Sequence, residues 1–288
     1  MTFPARMSWS RRRSPGWAGA LVGGLALAGV VWGQGYFGGG QVDVPPNATT
    51  ARDVESRSTG TPMWEYPAGF EPDVFTVARL RYDRGGSQPR TRGGGWTTDL
   101  PDADLNLSYR LQQMTSLNVS PLGRLIRASD PELIKYPFLL VTAPHAMSLS
   151  EAEILALRSY LENGGFILTT DSWGEQQWLA VERSFREILP DRQFEELPIE
   201  HPLYRSVFNV TEKVQVPNIR MGLKQPGTQI QHRVLFDAKG RLMAMVLHNS
   251  DDSDGWEREG EDGEYFRLYS EKIAYPLAIN IVFYVLTH

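Results

Sequence analysis

The 288-residue sequence contains no cysteine. That absence removes disulfides, thiolate metal sites and a cysteine nucleophile together. It also suits an oxidising compartment, where a stray thiol is a liability. Neither G-x-G-x-x-G nor a P-loop lysine occurs; "RGGGW" at 92–96 has the glycines without the rest of either phosphate-binding pattern. No internal repeat is present. The charge balance excludes a further class. Net charge is -5, and Arg6, Arg11, Arg12 and Arg13 all precede the first acidic residue, Asp43, so without those four charges the remainder stands at -9. A body that acidic argues against nucleic acid as its main partner.

Acidic residues are also missing from the N-terminus, and there the absence is informative. "SRRR" at 10–13 is followed by "SPGWAGALVGGLALAGVVWGQGYFGGGQ", which carries no charge at all. The apolar stretch from Trp17 to Trp32 is shorter than the ~20 residues that comfortably span a bilayer. A basic segment before a short apolar one is the layout of an export signal. Residues 1–33 are therefore expected to be a signal peptide or an N-terminal membrane anchor. An uncleaved anchor would keep the arginines in the cytoplasm and export the body to the periplasmic side. Residues 34–73, rich in Gly, Pro, Ser and Thr, read as a flexible linker, and the folded domain is expected over 74–288.

That domain alternates strand and helix. "FTVARLRY" (75–82), "YPFLLVTAP" (136–144) and "FILTT" (166–170) read as strands, the last two as buried parallel ones. "LPDADLNLSYRLQQMTS", "SLSEAEILALRSYLENGG" and "EQQWLAVERSFREILP" read as helices. The second has Ser148 or Ser150 to cap it and Gly164-Gly165 to stop it. "QIQHRVLFD" and "GRLMAMVLHN" form a hairpin around Ala238-Lys239-Gly240, and the chain closes in the helix "SEKIAYPLAINIVFYVLTH". Such alternation predicts an α/β fold: a mostly parallel sheet covered on both faces, with an antiparallel edge hairpin.

The run "YPFLLVTAPHAMSLSEAEILALRSYLENGGFILTTDSWG", with "FTVARLRYD", "WTTDLPDADLNLSYRLQQMTSLNV", "SFREILPD", "HPLYRSVF" and "AINIVFYVLTH", resembles the bacterial domain-of-unknown-function family number 4159 over roughly 75–288. That family in turn looks related to trehalose-utilisation-like and class I glutamine amidotransferase-like domains. The resemblance implies a flavodoxin-like three-layer sandwich and little about activity, because one fold hosts many functions. In amidotransferase-like domains the strand after the "GG" break carries a cysteine nucleophile. Here the turn reads Thr170-Asp171-Ser172-Trp173-Gly174, so glutamine hydrolysis by that route is excluded.

Several residues remain candidates. Ser172 stands at the nucleophile position of an elbow and would need a base, His145 or His201. The plainer alternatives are that Asp171 and Ser172 cap the next helix, or that Asp171 accepts hydrogen bonds from a ligand. His145 follows a parallel strand, so it and Asp171 should share the ligand-facing edge, for acid–base work, for a metal, or simply for a structural hydrogen bond. Arg84, Arg90 and Arg92 lie in a glycine-rich loop that leaves the same edge and could clamp an anion. Trp96, with Trp173 and Trp256, could stack on a sugar ring or pin loops to the core.

"SDDSDGWEREGE" (250–261) matches the EF-hand pattern except at its first position. An EF-hand needs a helix on each side, whereas a strand precedes this stretch, so it is expected to be a solvated acidic turn and no metal ligand is assigned. No cofactor is implied. Together these features lead to an exported or tethered envelope module that binds a small polar ligand, a glycan or a partner protein without catalysis. The alternatives are a hydrolase at the edge holding His145, Asp171 and Ser172, and a structural part of an envelope complex.

Overall fold

A computed structural model describes residues 42–58, 60–66, 69, 73–85, 94–219 and 229–288, all within one compact unit, Gly39–His288. The expected export segment 1–33 and the candidates Arg90 and Arg92 lie outside the described residues. Among the described residues no helix is long and apolar enough to cross a membrane.

Seven strands form one sheet, in the order β3 (Arg124–Arg127), β1 (Ala78–Arg81), β4 (Phe138–Thr142), β6 (Phe166–Ser172), β9 (Leu242–His248), β8 (Gln231–Phe236) and β7 (Glu195–Glu196). β1, β3, β4, β6 and β9 run parallel. β8 and β7 add the antiparallel edge. The short strands β2 (Asp83–Arg84) and β5 (Met147–Ser148) pair separately. The chain steps from β1 outward to β3 and then back past β1 to β4. The sheet therefore reverses its winding between β1 and β4, the place where open α/β sheets bind ligands.

Side-chain alternation divides the core. Val77, Phe138, Leu140, Phe166, Leu168 and Met245 face one layer, with α1 (Asp102–Met114) and the C-terminal helices. Leu80, Leu139, Val141, Ile167, Ala244 and Val246 face α2 (Glu151–Glu162) and α3 (Gly174–Ile188). β4 is buried at all five positions, as a parallel strand covered on both faces must be. α2 starts as its sequence predicts: Ser150 accepts from the amide of Glu153, whose carboxylate accepts from the amide of Ser150. Behind it, Gly165 lies so close under the Tyr160 ring that a Cβ would come within 2.3 Å of it.

Two expectations need correction. Part of the supposed flexible linker, Ala48 to Val54, is packed on the domain. Ala48, Ala51 and Val54 are buried with Leu100, Leu105 and Leu125, and Arg52 donates to the carbonyls of Pro121, Thr61 and Pro62. Small apolar residues spaced among the polar ones do this, and the overall composition hid them. The acidic segment after β9 is likewise no solvated turn. Ser250–Glu257 is buried throughout, and Asp252–Glu257 forms a short helix, α4. α5 (Gly263–Tyr265), a π-helical stretch (Phe266–Ala274) and α6 (Tyr275–Thr287) complete the chain.

Candidate functional site

Backbone strain marks the site first. Among the described residues, four non-glycine residues have left-handed φ angles: Asp99 (60°), Ala143 (46°), Asp171 (59°) and Asn249 (60°). Ala143 follows β4, Asp171 lies near the end of β6, Asn249 follows β9, and Asp99 lies in the loop after β1. All four therefore lie at the carboxyl ends of the parallel strands or in a loop leaving them. Each such conformation costs about 1–3 kcal/mol, and such strain gathers at functional sites.

Arg79 holds the first wall. Its buried guanidinium donates to both oxygens of Asp104 at 2.9 and 2.5 Å. It also donates to the carbonyls of Trp96 and Thr98 and to Thr142 Oγ1. This draws residues 96–98 over the ends of β1 and β4 and delivers Asp99 to the crevice. Trp96 is part of that anchor. Its ring packs on the core and the Arg81 guanidinium lies 5.0 Å above it, so it pins the loop. Trp256 is fully buried, whereas Trp96 and Trp173 are half-buried, and the Trp173 indole N–H donates to Asp171 Oδ1 at 3.0 Å.

α4 forms the opposite wall. Thr170 Oγ1 accepts from the amides of Asp252 and Ser253, and Asp251 Oδ1 caps the helix by accepting from the amide of Asp254. Asp254 Oδ2 accepts from the amide of Ile219, and its Oδ1 takes the Arg258 Nε at 3.2 Å. These bonds turn Asp254 and Glu257 toward Asp99. One carboxylate oxygen from each of the three lies within 4.8 Å of the others. Asp99 Oδ2 is buried and has no hydrogen-bond partner. Glu257 Oε2 has Arg258 Nη2 at 2.7 Å but no well-directed hydrogen bond.

Burial, aided by neighbouring negative charge, raises Asp99, Asp171, Asp251 and Glu257. Burial comes first for each. It pushes Asp99 up to about 7, helped by the charges of Asp254 and Asp171, and Glu257 up to about 9, helped by Asp99 and opposed by Arg258. Asp171 is raised to about 6, with Asp254 adding to burial and the Trp173 N–H opposing it. Asp251 is raised by burial and then by Asp171, Asp254 and Asp99. Asp99 and Asp171 keep part of their surface open at the mouth, whereas Asp251, Asp254 and Glu257 are buried. Hard oxygen ligands spaced this way fit a calcium-like cation, which bonds oxygen at about 2.3–2.6 Å.

His145 and Asp171 share the edge: His145 lies in the turn after β4, and Asp171 near the end of the neighbouring strand β6. Burial, with the charge of Arg84, holds His145 below its ordinary value, opposed by the neighbouring Asp171 backbone. His145 Nδ1 is left without a partner. Ser172 does not join them. It is wholly buried, and its Oγ lies 3.4 Å from Nδ1 of His248, an imidazole that burial pushes down to about 4. The strained elbow residue is Asp171, one position before the serine that the sequence suggested. Neither residue caps α3. Asn249 Oδ1 accepts from the Gly174 amide and Gln177 Oε1 from the Trp173 amide. His201 is at the opposite edge, beside Phe236, whose partner Leu242 begins β9. Sequence reasoning missed Asp99, Asp254 and Glu257 as a set, and the near-EF-hand spacing pointed toward Asp254 alone of the three.

The sheet order defines a flavodoxin-like α/β domain, and the crevice lies at the carboxyl ends of its parallel strands. The chain belongs to the DUF4159 family, described as a domain of unknown function, whose family model matches residues 76–286. No curated protein matches the chain.

Proposed function

We propose that this domain is a non-catalytic binding module of the cell envelope whose crevice takes a divalent cation through Asp99, Asp254 and Glu257. A small polyhydroxy or anionic ligand completes the cation's shell. The observation that carries this reading is the buried, unpartnered Asp99 Oδ2, with oxygens of Asp254 and Glu257 within 4.8 Å. Raised acids that lack enough counter-charge are stabilised most by a cation. Trp173, His145, Arg84 and Asp171 at the rim offer a ring face, donors and an acceptor for the ligand. Export rests on the arginine cluster and the uncharged run after it.

Thermal unfolding after chelation, with calcium, magnesium or manganese added back at pH 8, tests the proposal. A cation that binds the folded chain raises the melting temperature, and Asp99→Asn should abolish the rise. No rise with any of the three ions would defeat the reading. One observation favours a second reading, an acid–base hydrolase. Asp171 is strained, its carboxyl is raised to about 6 by burial, and its backbone lies beside the His145 imidazole. In that case a hydrolytic activity would be lost in Asp171→Asn and kept in Ser172→Ala.

A further inference from the structure

Away from the crevice, a cavity of about 470 Å³ opens between the chain at 208–214, β8, the π-helical stretch and the start of α6. None of its lining residues belongs to the crevice. Most of the wall is apolar, with Phe208, Val210, Leu268, Ile273 and Leu277. That size and lining suit a small organic ligand, since such sites run to roughly 300–1,000 Å³ and place a few polar groups on apolar walls. The π-helical wall adds to the case, because wide helical turns recur at functional sites.

The informative polar group is His232. It is 1 % exposed, and its Nδ1 lies 2.7 Å from the Tyr204 hydroxyl. Its Nε2 is buried with no hydrogen-bond partner. The proton arrangement follows from counting. The Tyr204 hydroxyl has no other acceptor among the described residues, so it donates to Nδ1, and the imidazole proton then sits on Nε2. The reverse arrangement would orphan both the Tyr204 proton and the Nε2 lone pair. A buried N–H without an acceptor costs about 1–3 kcal/mol, so Nε2–H calls for an acceptor. The imidazole stays neutral, pushed down to about 3 by burial and by the charge of Lys213. Lys213 itself is bound to Glu196 and to the Leu197 carbonyl. Lys272, also on the lining, has no ion-pair partner among the described residues.

We infer that this cavity binds a small monocarboxylic acid with an apolar body, its carboxylate accepting from His232 Nε2 and its charge balanced by Lys272. The apolar wall takes the body of the ligand, and the Nε2 donor and the Lys272 charge select its head.

Calorimetric titration of the full chain with octanoate, octanol and octylamine tests the inference. Saturable one-to-one octanoate binding is expected, with octanol and octylamine at least about tenfold weaker, since one hydrogen bond to a charged group carries roughly that factor. His232→Phe should weaken octanoate about tenfold or more. Lys272→Met should weaken it several-fold and, being on an exposed residue, should leave folding intact even if His232→Phe does not. Asp99→Asn should leave octanoate binding unchanged, which separates this site from the crevice. Absence of saturable octanoate binding would overturn the inference. So would octanol binding equally well, or affinity that ignores the lysine substitution.

Discussion

Arg79 and Asp104 are joined by two hydrogen bonds at 2.9 and 2.5 Å, with side chains 0 % and 1 % exposed. The pair ties β1 to α1, and the remaining guanidinium donors hold the backbone of 96–98 beside the crevice. Removing one partner of such a pair leaves a charge buried alone. Arg79→Met is expected to cost about 3–5 kcal/mol. Arg79→Met with Asp104→Leu should recover much of the loss, as chemical denaturation would show. Cation binding should stay weak in both variants, because Asp99 loses its support.

Stability of the chelated protein should fall as pH rises. An acid whose folded pKa is raised binds its proton more tightly when folded. Stability therefore declines from the unfolded value, about 4, until the folded value is passed. For Asp99 that value is about 7 and for Glu257 about 9. Between pH 7 and 9 the histidines, with unfolded values near 6.5, no longer titrate. The melting temperature of the chelated protein should drop across that window, and saturating calcium should restore more of it at pH 9 than at pH 7. A melting temperature independent of pH and calcium would contradict the acid cluster's electrostatics.

Gly255 lies in α4 against the π-helical stretch, and a Cβ there would sit 2.7 Å from Ala274 Cβ and 3.3 Å from Val216 Cγ1. Alanine is the better helix former by about 1 kcal/mol, yet Gly255→Ala should destabilise by about 1–3 kcal/mol through overpacking. Thermal unfolding of the variant decides which effect wins.

Ser172→Ala removes a long contact to His248 and leaves that nitrogen unpaired. A loss of about 1 kcal/mol is expected, with calcium affinity unchanged. Asp171→Asn, by contrast, removes one of the charges that raise Asp99 and Asp251, and should alter the pH dependence of calcium binding. Calorimetric titrations at two pH values separate the two residues.

The fold was legible where one physical signal dominated. Phe138–Thr142 had to be covered on both faces, and Ser150 with Glu153 announced the start of α2. β3, "RLIR", escaped notice because an edge strand of four residues, two of them charged, carries little periodic signal. The site was half legible. His145 and Asp171 followed from the rule that parallel strands point their carboxyl ends at one edge, while Ser172 failed because the backbone turns one residue earlier.

Sequence alone determined the alternation of strands and helices, the cap of α2, and the absence of thiol chemistry, since each depends on residues near one another along the chain. Only the tertiary structure decided that 250–257 is buried and that Asp99 meets Asp254 and Glu257 across more than 150 positions. Hydrophilic residues run to water unless distant elements enclose them. That enclosure, by α1, the π-helical stretch and the Arg79-held loop, is a property of packing that no local pattern encodes.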